Sequence, residues 1–151
     1  MPESASHRRI HPQALSEFQL HLEESAVWVE ALRSRLGWES VAKSHSALCA
    51  VLQVLRDHLP LEEAIQLGVQ LPVLLRGEYF EGFHPRRDPL PLSDRGDFFM
   101  LVHEAIHRDP AIEPEMLART VLSLVADRLP AAQRAQIEAA SPAPLHGLWP
   151  D

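Results

Sequence analysis

The sequence predicts an all-α protein: a compact bundle of about six helices, made of two diverged three-helix repeats related by a pseudo-two-fold axis. Apolar residues recur at helical spacing, as at Leu48, Leu52 and Leu55, and no segment alternates apolar and polar residues as a half-buried strand does. The second observation is an internal repeat, because residues 51–79 align with residues 121–149 at an offset of 70 positions.

The two copies of the repeat carry the same residue types at corresponding positions. Each copy is too short to bury its apolar face alone, so the copies should pack on each other. The matched pairs are Val51 and Val121, Leu52 and Leu122, Asp57 and Asp127, Leu59 and Leu129, Pro60 and Pro130, Pro72 and Pro142, Leu75 and Leu145, Gly77 and Gly147, and Tyr79 and Trp149.

The predicted organisation is a flexible N-terminus, residues 1–14, followed by a single helical domain, residues 15–151. Pro60 and Pro130 each end one helix and begin the next, since proline lacks the N–H group that a continuing helix requires. Repeat one spans about 15–79, with helices near 15–36, 40–59 and 61–76; a proline-rich linker spans about 80–94; repeat two spans about 95–149, with helices near 95–108, 113–129 and 131–140.

Composition excludes several classes of protein. An apolar fraction of 46% and a charged fraction of 23% are typical of a soluble globular domain, and no segment predicts a membrane anchor. The net charge of −7, with Lys43 as the only lysine, argues against nucleic-acid binding. Cys49 is the only cysteine, so no internal disulfide can form, and we expect a cytoplasmic protein.

The stretch VLQVLRDHLPLEEAIQLGVQLPVLLRGEYFEGFHP resembles the bacterial domain-of-unknown-function family 2267. The resemblance runs from about Glu24 to Trp149 and includes the repeat. It departs from the family pattern at Glu78, where that pattern tends to be apolar, and at Phe83 and His84. The resemblance implies a helical fold in a bacterial cytoplasm, and it brings no accepted activity or catalytic residue.

One motif is typical of metal chemistry: the sequence HEAIH, from His103 to His107. Zinc hydrolases use two histidines one helical turn apart as ligands and the glutamate between them, here Glu104, to activate water. The repeat alignment instead places His103 and His107 beside the apolar positions Phe98 and Val102, on a solvent-facing side. No third ligand follows the motif, so adventitious zinc binding and an accidental match both stay open.

A second candidate site is aromatic. Tyr79, Phe80 and Phe83 gather near Arg76, and aromatic walls with a polar anchor are typical of small-molecule pockets. The alternative is that these rings fill the seam between the two repeats. The Glu81 and His84 pair could bind metal only on a helix, which its glycine and proline neighbours disfavour.

The function itself is not fixed by these patterns. The leading hypothesis is a non-enzymatic helical interaction module of the bacterial cytoplasm, which binds a protein partner or itself. The alternatives are a metal-dependent hydrolase that uses His103, Glu104 and His107, and a small-ligand site between the repeats that uses Arg76, Tyr79 and Phe83. No cofactor is expected, apart from zinc if the HEAIH motif binds it. Cys49, on an apolar helix with no cationic neighbours, is predicted to be a small buried apolar side chain.

Overall fold

A computed structural model describes residues 9–86 and 88–151 of the chain. These residues form helices and no strand, so the predicted all-helical class is confirmed. The elements are α1 (Pro12–Glu17), α2 (Gln19–Leu36), α3 (Val41–Asp57), α4 (Leu61–Gln70), α5 (Val73–Phe80), α6 (Arg95–Ala105), α7 (Pro114–Arg128), α8 (Ala131–Ala140) and a 3-10 helix (Ala143–Leu148).

The predicted number of about six helices is wrong, because the described residues contain eight α-helices and one 3-10 helix. The predicted helix 61–76 is divided at Pro72, and Leu71 before it is extended, with ψ 150°. A proline disfavours the helical conformation of the residue before it and removes a backbone donor. The predicted helix 15–36 is likewise divided at Phe18, and most of the predicted flexible N-terminus, residues 1–8, lies outside the described residues.

Helix α3 is the centre of the bundle and packs against α2, α5, α6 and α7. It begins after Ser40, whose hydroxyl accepts a hydrogen bond from the Lys43 backbone N–H at 3.0 Å, a favourable N-cap. Leu48, Leu52 and Leu55 are fully buried along it. The helical spacing in the sequence therefore identified the core face of α3.

Helix α6 ends three residues before the predicted boundary at residue 108. Phe98, Val102 and Ile106 are buried, as the repeat alignment predicts. His107 and Arg108 have φ angles of 59° and 55°, in the left-handed region. A right-handed helix cannot include two such residues, so the chain leaves α6 here and turns toward α7.

The described residues between α5 and α6 form no helix. The Leu90 N–H donates to the Asp57 carbonyl at 3.0 Å, so this connection crosses the C-terminal end of α3. It joins a first half, α2 to α5, to a second half, α6 to the 3-10 helix. Helix α8 begins and ends 70 residues after α4, and the 3-10 helix begins 70 residues after α5.

None of the helices in the described part of the chain is both long enough and apolar enough to cross a bilayer.

Candidate functional site

One polar ridge on α3 faces the first half's last helix, α5. His45, Cys49 and Gln53 follow each other at intervals of four residues, so their side chains lie on the same face of α3. The Gln53 side-chain amide donates to the Glu78 backbone carbonyl at 2.9 Å. This bond fixes the last turn of α5 against α3 and holds Glu78 opposite the ridge.

The Glu78 carboxylate joins the two remaining ridge residues. Its Oε2 lies 2.7 Å from His45 Nε2, and the same oxygen accepts a hydrogen bond from the Cys49 thiol at 3.1 Å. Both contacts meet on one oxygen atom, so the three side chains converge on a point. We call this group the His45–Cys49–Glu78 cluster.

The cluster lies in the wall of a cavity of about 430 Å³ between the two halves of the molecule. The first half contributes α3 and the end of α5, and the second half contributes the corner between α6 and α7. The ionisable lining residues outside the cluster are Lys43, Glu81, His107 and Asp109. Carboxylates outnumber the one lysine, and Lys43 is itself 4.0 Å from Asp109, so the cavity favours a cation.

The protonation of Cys49 limits its chemistry. Burial, and then the neighbouring Glu78 carboxylate, raise the pKa of the thiol to about 12. The thiol is therefore protonated at neutral pH and is not a ready nucleophile, because the thiolate is the reactive form. Cys49 is half-buried and makes a polar contact, which differs from the apolar role that the sequence predicted.

The three side chains of the cluster are all types that bind transition-metal ions. A thiol, an imidazole and a carboxylate are the three side chains that zinc binds in proteins. Their ligand atoms all lie within 4.8 Å of one another, and within the described residues this is the single group of three or more such donors. The arrangement can hold a transition-metal ion, or it can remain a hydrogen-bonded network.

The residues of the HEAIH motif lie in different surroundings. His103 lies inside α6, and its Nδ1 is buried without a hydrogen-bond partner among the described residues. His107 lies beyond the end of α6 and lines the cavity, whereas Glu104 is exposed and lies 3.6 Å from Arg108. The helix that should hold both histidines ends at Ala105, so His107 lies outside it.

The structure gives the residues of the predicted aromatic site different surroundings. Tyr79 is fully buried, and its hydroxyl donates to the Ala64 carbonyl at 2.6 Å; burial also raises the Tyr79 pKa. Phe83 packs 5.4 Å from the Arg56 guanidinium. Arg76 lies elsewhere and donates to the carbonyls of Val69 and Leu71. The rings support the end of α5, in line with the alternative that they fill a seam.

A second surface carries exposed apolar side chains between charged ones. Val27 of α2 and Val69 and Val73 of the α4–α5 junction are exposed around a depression of about 480 Å³, with Glu24, Arg76 and Arg128 at its border. We call this depression the apolar groove. In the described structure its valines face solvent, which is unfavourable unless another molecule covers them.

An apolar segment also projects at the N-terminal end. We call residues 12–22, which comprise α1 and the start of α2, the N-terminal arm. Leu15, Phe18 and Leu22 are 55%, 59% and 44% exposed, and no residue of α1 is buried. Their spacing of three and four residues is that of one helical face, although the helix is divided at Phe18. Within the described residues, the arm therefore presents an exposed apolar stripe.

Sequence reasoning missed the cluster, because Glu78 is 29 positions after Cys49 and 33 after His45. The four-residue spacing of His45 and Cys49 was the one available signal. It indicates two donors on one helical face, but it does not indicate which other helix supplies the third.

A family model described as "Uncharacterized conserved protein (DUF2267)" matches residues 26–148. The comparison with curated proteins found no match.

Proposed function

The chain belongs to the DUF2267 family, and from that premise we propose that it is a non-enzymatic helical interaction module that pairs with a second copy of itself. The observation that carries the proposal is the exposed apolar stripe of the N-terminal arm, Leu15, Phe18 and Leu22. Apolar anchors at such spacing are the feature by which an amphipathic helix binds an apolar groove. The arm of one copy fits the apolar groove of the other.

Charge supports a second copy as the occupant. The arm carries Glu17 and is followed by Glu23, whereas the groove is bordered by Arg76 and Arg128, which outnumber its one carboxylate, Glu24. Arg128 forms no ion pair with any residue in the described ranges 9–86 and 88–151. Opposite charges on the two surfaces favour the encounter and set its orientation. Because each copy has both surfaces, a two-fold pair makes the same contact twice.

The proposed module is an internal repeat and belongs to the bacterial cytoplasm. The chain is two diverged copies of one module, which is supported by the 70-residue offset between the bounds of α4 and α8. The lone cysteine and the net charge of −7 support a reducing bacterial cytoplasm and a protein partner, and they argue against nucleic acid. A metal-dependent hydrolase has less support, because α6 ends at Ala105 and His107, but not His103, lines the cavity.

Sedimentation equilibrium of the untagged chain, in buffer with chelator, tests the pairing. We expect the average mass to rise with concentration toward twice the 17.0 kDa of the chain. Phe18→Glu should keep the protein monomeric, because it places a charge in the apolar contact without removing any packing from the fold. Met100→Glu is the matched control, since Met100 is 63% exposed on α6 and lies outside both surfaces.

Two results would overturn the pairing. One is a wild-type chain that stays monomeric up to the highest soluble concentration. The other is a Phe18→Glu variant that pairs as strongly as the wild type, which would move the contact away from the arm.

A further inference from the structure

The His45–Cys49–Glu78 cluster has features that the pairing proposal does not use. Three side chains from two helices share one oxygen atom, with separations of 2.7 Å and 3.1 Å. A surface ion pair would need only two of them. The convergence of a third donor, a thiol, on the same carboxylate is the observation that calls for a ligand.

The geometry points to a binding site for a zinc-class divalent metal ion, formed by His45 Nε2, Cys49 Sγ and the Glu78 carboxylate and open toward the cavity between the two halves. The ion takes the place of the protons that these groups now share. Zinc bonds to nitrogen and oxygen ligands are about 2.0 to 2.2 Å and to sulfur about 2.3 Å. Ligand atoms within 4.8 Å of one another can reach a common ion by side-chain rotation.

The identity of the donors selects the metal. Magnesium and calcium prefer ligand sets made of oxygen alone, whereas a mixed set of sulfur, nitrogen and oxygen suits zinc and its neighbours in the first transition row. Three protein ligands leave one position of a tetrahedral ion unfilled. That position faces the cavity of about 430 Å³, where water or a small anion can occupy it.

The packing of α3 against α5 positions the three donors before any ion binds. His45 and Cys49 are one turn apart on α3, the most enclosed helix of the bundle. Glu78 is positioned by the Gln53 bond to its carbonyl, and Arg56 donates to the next carbonyl, that of Tyr79, at 2.6 Å. Donors on rigid helices lose little freedom when the ion binds. The surrounding carboxylates, Glu81 and Asp109, add attraction for a cation.

Metal titration of the untagged, chelator-treated chain tests the site. We expect one equivalent of zinc to bind in calorimetry and to raise the melting temperature. Cobalt(II), used as a spectroscopic probe, should give a near-ultraviolet thiolate-to-metal absorption band. Cys49→Ser should abolish this band, and Cys49→Ser and Glu78→Gln should each raise the zinc Kd by about 100-fold or more, since even an outer-sphere loss costs about 10- to 100-fold.

The HEAIH motif supplies the matched control. His103→Gln removes the histidine of that motif that lies inside α6 and does not line the cavity. This variant should bind zinc as the wild type does. Melting each variant in chelator separates a folding defect from a binding defect.

Three results would overturn the metal site. The first is a wild-type chain that binds no zinc, and the second is a Cys49→Ser variant with unchanged zinc affinity and an unchanged cobalt spectrum. The third is a loss of zinc binding in His103→Gln while Cys49→Ser retains it, which would assign the metal to HEAIH. Because pairing is measured in chelator, the two proposals fail independently.

Discussion

Replacing Arg56 by methionine should lower the free energy of unfolding by about 3 kcal/mol, since it removes a buried donor and leaves two carbonyls without their hydrogen bonds. The Arg56 side chain is only 6% exposed. It donates to the carbonyls of Tyr79 at 2.6 Å and Glu81 at 2.9 Å, and to the Asp57 carboxylate at 2.9 Å. Methionine keeps most of the apolar contact and removes all three hydrogen bonds.

Chemical unfolding in chelator measures this change, and the melting temperature should fall by roughly 6 to 12 °C. Arg35→Met is the matched control. Arg35 pairs with Asp127 at 2.7 Å on the surface, where an ion pair contributes about 1 kcal/mol or less. If the two variants lose the same stability, Arg56 does not hold the end of α5 as described.

Replacing Gly68 by valine should cost about 3 kcal/mol, at the upper end of the usual cost of overpacking a core. Helix α4 passes so close to α5 that a Cβ atom on Gly68 would lie 2.4 Å from Phe80 Cζ and 2.8 Å from Tyr79 Cε1. Phe80 can rotate away, but Tyr79 is buried and its hydroxyl is bound to Ala64. The valine must therefore separate the two helices.

The same substitution at Gly77 isolates the effect of the contact. A Cβ atom there would meet nothing within 4 Å, and both glycines lie within helices. Gly77→Val should be neutral or slightly stabilising, because valine forms helix better than glycine. Denaturant midpoints of the two variants give the comparison. Equal midpoints would contradict the close approach of α4 to α5.

The sequence correctly predicted those features of the fold that depend on residues close together in the chain. The spacing of Leu48, Leu52 and Leu55 identified the buried face of α3, and Pro60 and Pro130 marked the starts of α4 and α8. Apolar spacing and proline positions depend only on residues close together in the chain, so one sequence is enough to recognise them. The division between α4 and α5 at Pro72 is also a local proline effect, but apolar residues continue on both sides of this proline, and the sequence therefore predicted one continuous helix.

The candidate sites were harder to predict, because they depend on how helices pack. HEAIH has the spacing of a metal motif, yet α6 ends at Ala105 and His107 begins a left-handed turn outside it. No local pattern foretold that turn, since neither residue is a glycine. The metal candidate instead joins α3 to Glu78 of α5, and only the tertiary fold brings these elements together.

The most direct test of the pairing is a mixture of two defective chains. Phe18→Glu spoils the arm and leaves the groove intact, whereas Val73→Glu spoils the groove and leaves the arm intact. Each variant alone should sediment as a monomer. In an equimolar mixture, the intact arm of one should bind the intact groove of the other, and a species of twice the monomer mass should appear. A mixture that stays monomeric where the wild type pairs, or a single variant that pairs alone, would contradict the account.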